Sequence, residues 1–440
     1  MPLLSGCYAS HGLEEPLDGP RLVPVRFVTD EGASIAPTLH DRELGVDCRF
    51  ARTPEGWRCV PVEVSPLVHA DAGCGSPAAP LHATLEGEEC LPRPFVTEPP
   101  SGCEPVRFYR PTAGRRTLAG SFRRVPGACV PNARVSLDAL EVEEVPFARF
   151  APATLGEVED APGRYVRRAL VGDDVRVSGP VFDRVLETEC GLAGSGPAHC
   201  VPPDALRVVR TGPSCGDAVA VPGECERAPP TVGLALGLES DFLCDRRTVS
   251  LFRAEAAAPA PGEICDVWRG PLPDRAWSIA PDPGVLPALR LEPVGDGRLR
   301  PLVWRGDDGT ELSADEMGFW DAELGVRCAP RRFADGVDRC APSRLPRESH
   351  HRSSPPRRFA DPSCEVMAAP RLGGECAAFV VLVDDDCEAR PIEYLRVGEP
   401  VERVFERRGD ACVEASAVER HWRLEPVELA GLRRVVDAAP

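Results

Sequence analysis

The chain has no lysine and no glutamine, and its single asparagine is Asn132, so arginine supplies every permanently basic side chain. That skew reflects the base composition of the coding DNA and not a demand of folding. No run of eighteen apolar residues occurs, which excludes a membrane-spanning helix. No C-x-x-C occurs among the nineteen cysteines, which argues against zinc ribbons and thioredoxin-type motifs, both of which need a close thiol pair. No basic tail or stripe offsets the formal charge of −18. Nucleic acid is therefore a poor partner, and attraction to an anionic lipid surface is unfavourable. Long helices are also excluded, because the forty-nine prolines each remove a donor and clash with the preceding turn.

What is present is a threefold repeat. Asp41-Arg-Glu-Leu44-Gly-Val-Asp-Cys48 returns as Asp321-Ala-Glu-Leu324-Gly-Val-Arg-Cys328, with a worn middle copy, Asp183-Arg-Val-Leu186-Glu-Thr-Glu-Cys190. Asp, Leu and Cys are kept in all copies without a gap. Upstream lie three further matched stretches, "RLVPVRFVTDEG" from Arg21, "RYVRRALVGDDV" from Arg164 and "RLRPLVWRGDDG" from Arg298.

The cysteines follow the same register. The first of each copy is Cys48, Cys190 and Cys328, and the second, two residues before a proline, is Cys59, Cys200 and Cys340. The third closes "DAGC" at Cys74, "GPSC" at Cys215 and "DPSC" at Cys364, and the fourth follows Gly-Glu at Cys90, Cys225 and Cys376. The fifth, at Cys103, Cys244 and Cys387, introduces "VRFYR", "VSLFR" and "IEYLR", and the sixth is Cys129, Cys265 and Cys412. Such a framework reads as disulfides formed in an oxidising compartment. Connectivity stays open, although Cys48 with Cys59 and Cys328 with Cys340 flank glycine-containing turns and suit a hairpin bond. Cys7 is left over.

The repeat length, about 140 residues, is far above solenoid periods, so each copy is a domain or a multi-strand unit. Short Val-rich and aromatic runs such as "VPVRFV", "PLVWR" and "AAFVVLV", broken by Pro and Gly, make the chain all-β. The third copy shows candidate strands around Val303, Val326, Arg339, Val366, Val380, Glu393, Phe405 and Trp422. They suffice for two four-stranded blades, so three copies predict a six-bladed β-propeller. The alternative is three consecutive small β domains. The boundaries expected are 1–19 for a truncated lipoprotein signal and linker, then 20–161, 162–296 and 297–440 for the copies. No Gly/Ser-rich linker separates them, which favours one closed body.

Leu4-Ser5-Gly6-Cys7 resembles the lipobox of bacterial lipoproteins, in which the cysteine is lipidated. Only six residues precede it, so either the true start of translation lies upstream or the match is chance. An odd cysteine in an even framework needs an explanation, and lipidation of Cys7 supplies one. The residues "FWDAELGVRC", "FADGVDRCAP" and "FADPSC" resemble the Cys-rich repeats of uncharacterised myxobacterial lipoproteins, over nearly the whole mature chain. The resemblance implies location and architecture, and no activity.

Candidate chemistry is sparse. The acidic turns Asp30-Glu31-Gly32, Asp173-Asp174 and Asp307-Asp308-Gly309 share a register but lack the alternating spacing that wraps oxygens round calcium. A hairpin turn is the expected role. Asp41, Asp183 and Asp321 are expected to accept turn amides before a strand, against an alternative in which they line a central cation channel. Arg110, Arg253 and Arg396 suit stacking or ion pairing better than substrate clamping. Asp384-Asp385-Asp386 and the basic insertion around His350-His351 read as solvated loops. "AGSGP" around Ser195 does not fit G-x-S-x-G, and no H-E-x-x-H occurs.

No catalytic residue, metal ligand or cofactor is assigned. The expectation is a monomeric, extracytoplasmic cell-envelope lipoprotein, held to the membrane by lipid alone, that binds an unknown protein or glycan. The alternatives are a secreted glycan-acting or other hydrolytic enzyme with a site in a channel between copies, and a purely structural envelope protein. An enzyme is expected to gather polar residues unmatched between copies in one place, with perturbed titration.

Overall fold

The computed structural model describes residues 20–438 except 84–88, 91–92, 99–104, 126–127, 132–136, 159–161, 173–174, 194–196, 203–204, 213, 216, 223–233, 242–245, 259, 262–263, 266–274, 282–285, 334, 343–346, 350–357, 371–378, 384–390, 410, 416–420 and 429–430. The chain is all-β. Among the described residues two complete 3₁₀ turns occur, Phe147–Arg149 and Asp315–Met317.

Each copy begins with an antiparallel meander. In the first copy it is Leu22–Thr29, Ser34–Asp41, Val46–Thr53 and Gly56–Pro61. In the second it is Tyr165–Gly172, Val175–Asp183, Thr188–Ala193 and Pro197–Val201. In the third it is Leu299–Gly306, Phe319–Asp321, Val326–Arg332 and Asp338–Pro342. A strand from the end of each copy then joins two meanders. Pro152–Val158 lies between Gly56–Pro61 and Tyr165–Gly172, and Ala288–Pro293 between Pro197–Val201 and Leu299–Gly306.

The last strand, Val435–Ala438, returns to pair with the first, Leu22–Thr29. On its other side the isolated bridge Arg339↔Arg434, with Cys340 N donating to Arg433 O at 2.9 Å, touches the third meander. The same bond, Cys59 N to Ala151 O at 2.9 Å, precedes the joining strand of the first copy.

This order does not divide into six four-stranded blades. Sixteen strands form one continuous sheet, because the closing strand of each copy is hydrogen-bonded into the meander of another. The segment between a copy's fourth and closing strands folds as a second, outer sheet. In the first and third copies this sheet has eight strands, and in the second five strands, Leu206–Thr211, Asp217–Val221, Ala276–Pro281, Arg246–Ala258 and Leu234–Asp241, close into a barrel.

Independent domains on a string are also not what the packing builds, since the central cores are shared between copies. Leu22, Leu39, Cys48 and Cys59 of the first pack with Val175 of the second. Tyr165, Val181 and Cys200 of the second pack with Leu302, Trp304 and Leu312 of the third. Leu299, Phe319 and Val435 of the third pack with Ile35 of the first. A second set of clusters seats each outer sheet on its meander, with Val60, Phe108 and Phe150 matched by Val201, Leu251 and Leu286, and by Ala341, Tyr394 and Leu432. Burying such side chains stabilises by about 1.5–3 kcal/mol each, and much of that is unavailable to one copy alone.

Candidate functional site

The recurrent aspartates are structural anchors. Asp41, Asp183 and Asp321 have fully buried side chains, and each is forked by the arginine that opens its own copy. Arg21 Nε and Nη2 donate to Asp41 at 2.9 and 2.7 Å, and Arg298 Nε and Nη2 donate to Asp321, both at 3.0 Å. Arg164 Nε donates to Asp183 at 2.8 Å. Oδ1 of each aspartate also accepts the amides two and three residues on, from Glu43 and Leu44, Val185 and Leu186, and Glu323 and Leu324. A buried carboxylate so paired and hydrogen-bonded satisfies its charge within the chain.

The acidic turns also serve the backbone. Glu31 Oε2 accepts the Arg298 amide at 2.7 Å, and Asp308 Oδ2 accepts the Arg164 amide at 2.7 Å. Arg433, just before the closing strand, adds ion pairs to Asp30 and Glu31 and holds the Glu31 carboxyl below its ordinary range. Of the recurrent arginines, Arg396 lies over the Phe379 ring at 5.7 Å, while Arg110 is exposed opposite Glu143 in the strand register. Cys7, Asp173-Asp174, Ser195, His350-His351 and Asp384-Asp385-Asp386 lie outside the described residues.

The structure bonds Cys48 to Cys59, Cys190 to Cys200 and Cys328 to Cys340 within the meanders. In the outer sheets it bonds Cys74 to Cys129, Cys215 to Cys265 and Cys364 to Cys412. The side chains of Cys90, Cys103, Cys225, Cys244, Cys376 and Cys387 lie outside the described residues. All six bonds stay within a copy. Cys74, Cys215 and Cys364 share a left-handed backbone, with φ of 53°, 54° and 56°. In the first and third copies an aspartate braces that turn: Asp71 accepts the Gly73 and Gly75 amides, and Asp361 those of Ser363, Glu365 and Val366.

One constellation was not singled out from the sequence. It sits in the first outer sheet, beside the Cys74 turn. His69 Nε2 donates to Glu98 Oε1 at 3.0 Å, the Tyr109 hydroxyl donates to Glu98 Oε2 at 3.3 Å, and the Arg124 Nε lies 2.6 Å from Glu98 Oε1. Arg124 Nη2 also donates to the Cys74 carbonyl at 2.7 Å. His69, Glu98 and Tyr109 are 2, 4 and 5% exposed, so no substrate-sized molecule reaches them, whereas the Arg124 side chain is 26% exposed and touches solvent.

His69 Nδ1 is buried and has no hydrogen-bond partner among the described residues. Burial lowers the His69 pKa from its ordinary value, against the opposing pull of Glu98, and burial together with Glu98 raises that of Tyr109. The dominant cause in both is loss of water round the charged form.

These residues are unmatched between copies. "HADAGC" aligns His69 with Arg210 and Phe359, and "VRFYR" aligns Tyr109 with Phe252 and Leu395. Strand register places Gly237 and Leu382 at the position of Glu98. Only Arg124 has a counterpart in the third copy: Arg407 pairs Cys412 as Arg124 pairs Cys129, and donates to the Cys364 carbonyl at 3.1 Å. The signal that marks the cluster was therefore a histidine where another copy has phenylalanine. Chemically the group can hold or lose a proton in a closed space.

These features define a disulfide-rich, all-β module of the kind found outside the cytoplasm, where disulfides persist. No helix among the described residues is long and apolar enough to cross a membrane. The chain belongs to a family of unknown function, DUF7481, whose model matches residues 10–234, the first copy and the meander and early outer sheet of the second. No curated protein and no solved structure matches the chain.

Proposed function

We propose that this protein is a cell-envelope lipoprotein, anchored through lipid on Cys7, whose body is a monomeric binding or interaction module for a protein or glycan partner. The observation that carries the reading is how the repeated carboxylates are used. Asp41, Asp183 and Asp321 are each consumed by an arginine fork and two turn amides. What the copies share is thus a means of holding the chain together, as a scaffold for recognition requires.

The same reading takes the three copies, 20–161, 162–296 and 297–440, as one closed threefold body. The return of Val435–Ala438 to Leu22–Thr29 supports closure, as do the cores shared between successive copies. A closed body leaves the outer sheets as the surfaces on which copies differ, and differences are where a ligand can be read.

The test is expression of the gene with its upstream in-frame DNA, followed by metabolic labelling with palmitate and detergent-phase partition. Label on the native chain, lost in Cys7→Ser, is the expected result. A Cys7→Ser chain that still carries label and partitions with detergent would rule out this anchor. Incubating the released body with cell-wall glycan addresses the remainder: retention without cleavage supports a binding module, and soluble products would favour the hydrolase alternative.

A further inference from the structure

We infer that His69 is a proton-operated latch on the outer sheet of the first copy, which frees Arg124 from Glu98 and loosens the Cys74–Cys129 turn when the imidazole gains a proton. The inference rests on the placement of four side chains and is independent of the anchor.

In the closed state His69 is neutral. Its Nε2 proton is committed to Glu98, because a carboxylate only accepts, and its Nδ1 lone pair faces no donor. A second proton must go to Nδ1. That creates a buried N–H without an acceptor, which costs the desolvation of a polar group. It also sets two cations, His69 and Arg124, on the one carboxylate of Glu98. His69 cannot leave without opening the sheet, since it pairs with Pro77 on one side and Phe122 on the other. Arg124 is the member of the group with a path to solvent, its side chain being 26% exposed. Its departure also removes the bond from its Nη2 to the Cys74 carbonyl.

Among the described residues, no group other than Glu98 is hydrogen-bonded to the His69 ring. The strand Val96–Glu98 contributes Glu98, and Arg107–Leu118 contributes Tyr109, with Arg107 beside Tyr109. Arg116, on that same strand, is bonded to the Pro77 carbonyl at 2.8 Å. Leu137–Val145 places Glu144 opposite Tyr109, and the turn that follows His69 contributes Asp71, engaged by the Gly73 and Gly75 amides. Phe122–Val125 contributes Arg124 itself, with Arg123 exposed.

The third copy is an internal control. Phe359 replaces His69, and Arg407 lies over its ring at 5.7 Å while holding the Cys364 carbonyl. Nothing at that position takes up a proton near neutrality.

The direction of the pH effect follows. The His69 pKa is lowered on folding, so between that value and the ordinary one near 6.5 the opened state binds a proton that the closed state refuses. Closure therefore weakens as pH falls through this window, by about tenfold per pH unit for one proton.

Matched amides read the effect. Ala70 N bonds to Ser76 O at 2.9 Å, and Ala360 N to Val366 O at 2.8 Å. Hydrogen exchange of the full oxidised chain from pH 7.5 to 5.5, corrected for intrinsic rates, should show protection at Ala70 falling relative to Ala360. The fall should vanish in His69→Gln, which keeps a donor toward Glu98 but does not titrate, and in His69→Phe. Equal pH dependence at both turns of the native chain would overturn the latch. So would persistence of the effect in either variant, or a His69 pKa at or above the ordinary value by NMR titration of the native protein.

Discussion

Glu31 accepts the backbone amide of Arg298 across 267 residues of sequence, at 2.7 Å. Asp308 does the same for Arg164. The hairpin tip of one copy is thus bonded to the opening residue of another, and the cores beneath these bonds are shared in the same way. Residues 162–296 expressed alone should therefore fail to melt cooperatively, because Tyr165 and Leu289 lose Leu302, Trp304 and Leu312. A sharp calorimetric transition for that fragment would show that the copies fold independently.

Asp321 should be among the least replaceable polar residues. Asp321→Ala removes the buried fork from Arg298, leaving it Glu323 and the Gly431 carbonyl, and leaves the Glu323 and Leu324 amides unpaired. Removing one side of a buried, hydrogen-bonded pair costs about 3–5 kcal/mol. Urea unfolding of the oxidised variant measures it, and a loss under 1 kcal/mol would mean the fork is ornamental.

Glu187 offers a change in the opposite direction. It stands where Gly45 and Gly325 stand in the other copies and holds their left-handed backbone, φ 51° against 65° and 67°. A side chain with a Cβ is strained there. Glu187→Gly should raise stability by about 1 kcal/mol, after allowing for the greater freedom of glycine in the unfolded chain. The readout is a higher denaturant midpoint at unchanged slope.

Peptide mapping without reduction should recover Cys48–Cys59, Cys190–Cys200, Cys328–Cys340, Cys74–Cys129, Cys215–Cys265 and Cys364–Cys412. Bonds running between copies would contradict the structure. In the chain-entropy picture each meander bond contributes about 3 kcal/mol and each outer-sheet bond about 4, so reduction should abolish the cooperative transition.

The all-β character, the register of the copies and the hairpin pairing of Cys48 with Cys59 were legible in the sequence, because strand periodicity, turn residues and cysteine spacing are local. The role of Asp41, Asp183 and Asp321 was legible as well, since an aspartate two and three residues before free amides is a local motif. Six blades were not the outcome. Counting strands does not say which strand is the neighbour of which, and Pro152–Val158, Ala288–Pro293 and Val435–Ala438 each pair outside the meander of their own copy.

The sequence by itself determined the β alternation and the hairpin spacing that bonds Cys48 to Cys59 and Cys328 to Cys340, because each is written in spacing along the chain. Only the tertiary structure decided that the copies share their cores. It also decided that Glu98, twenty-nine residues from His69, would meet it in a buried space. Burial and long-range contact set both outcomes: a hydrophobic face does not name its partner, and a histidine does not show which carboxylate will be sealed in beside it.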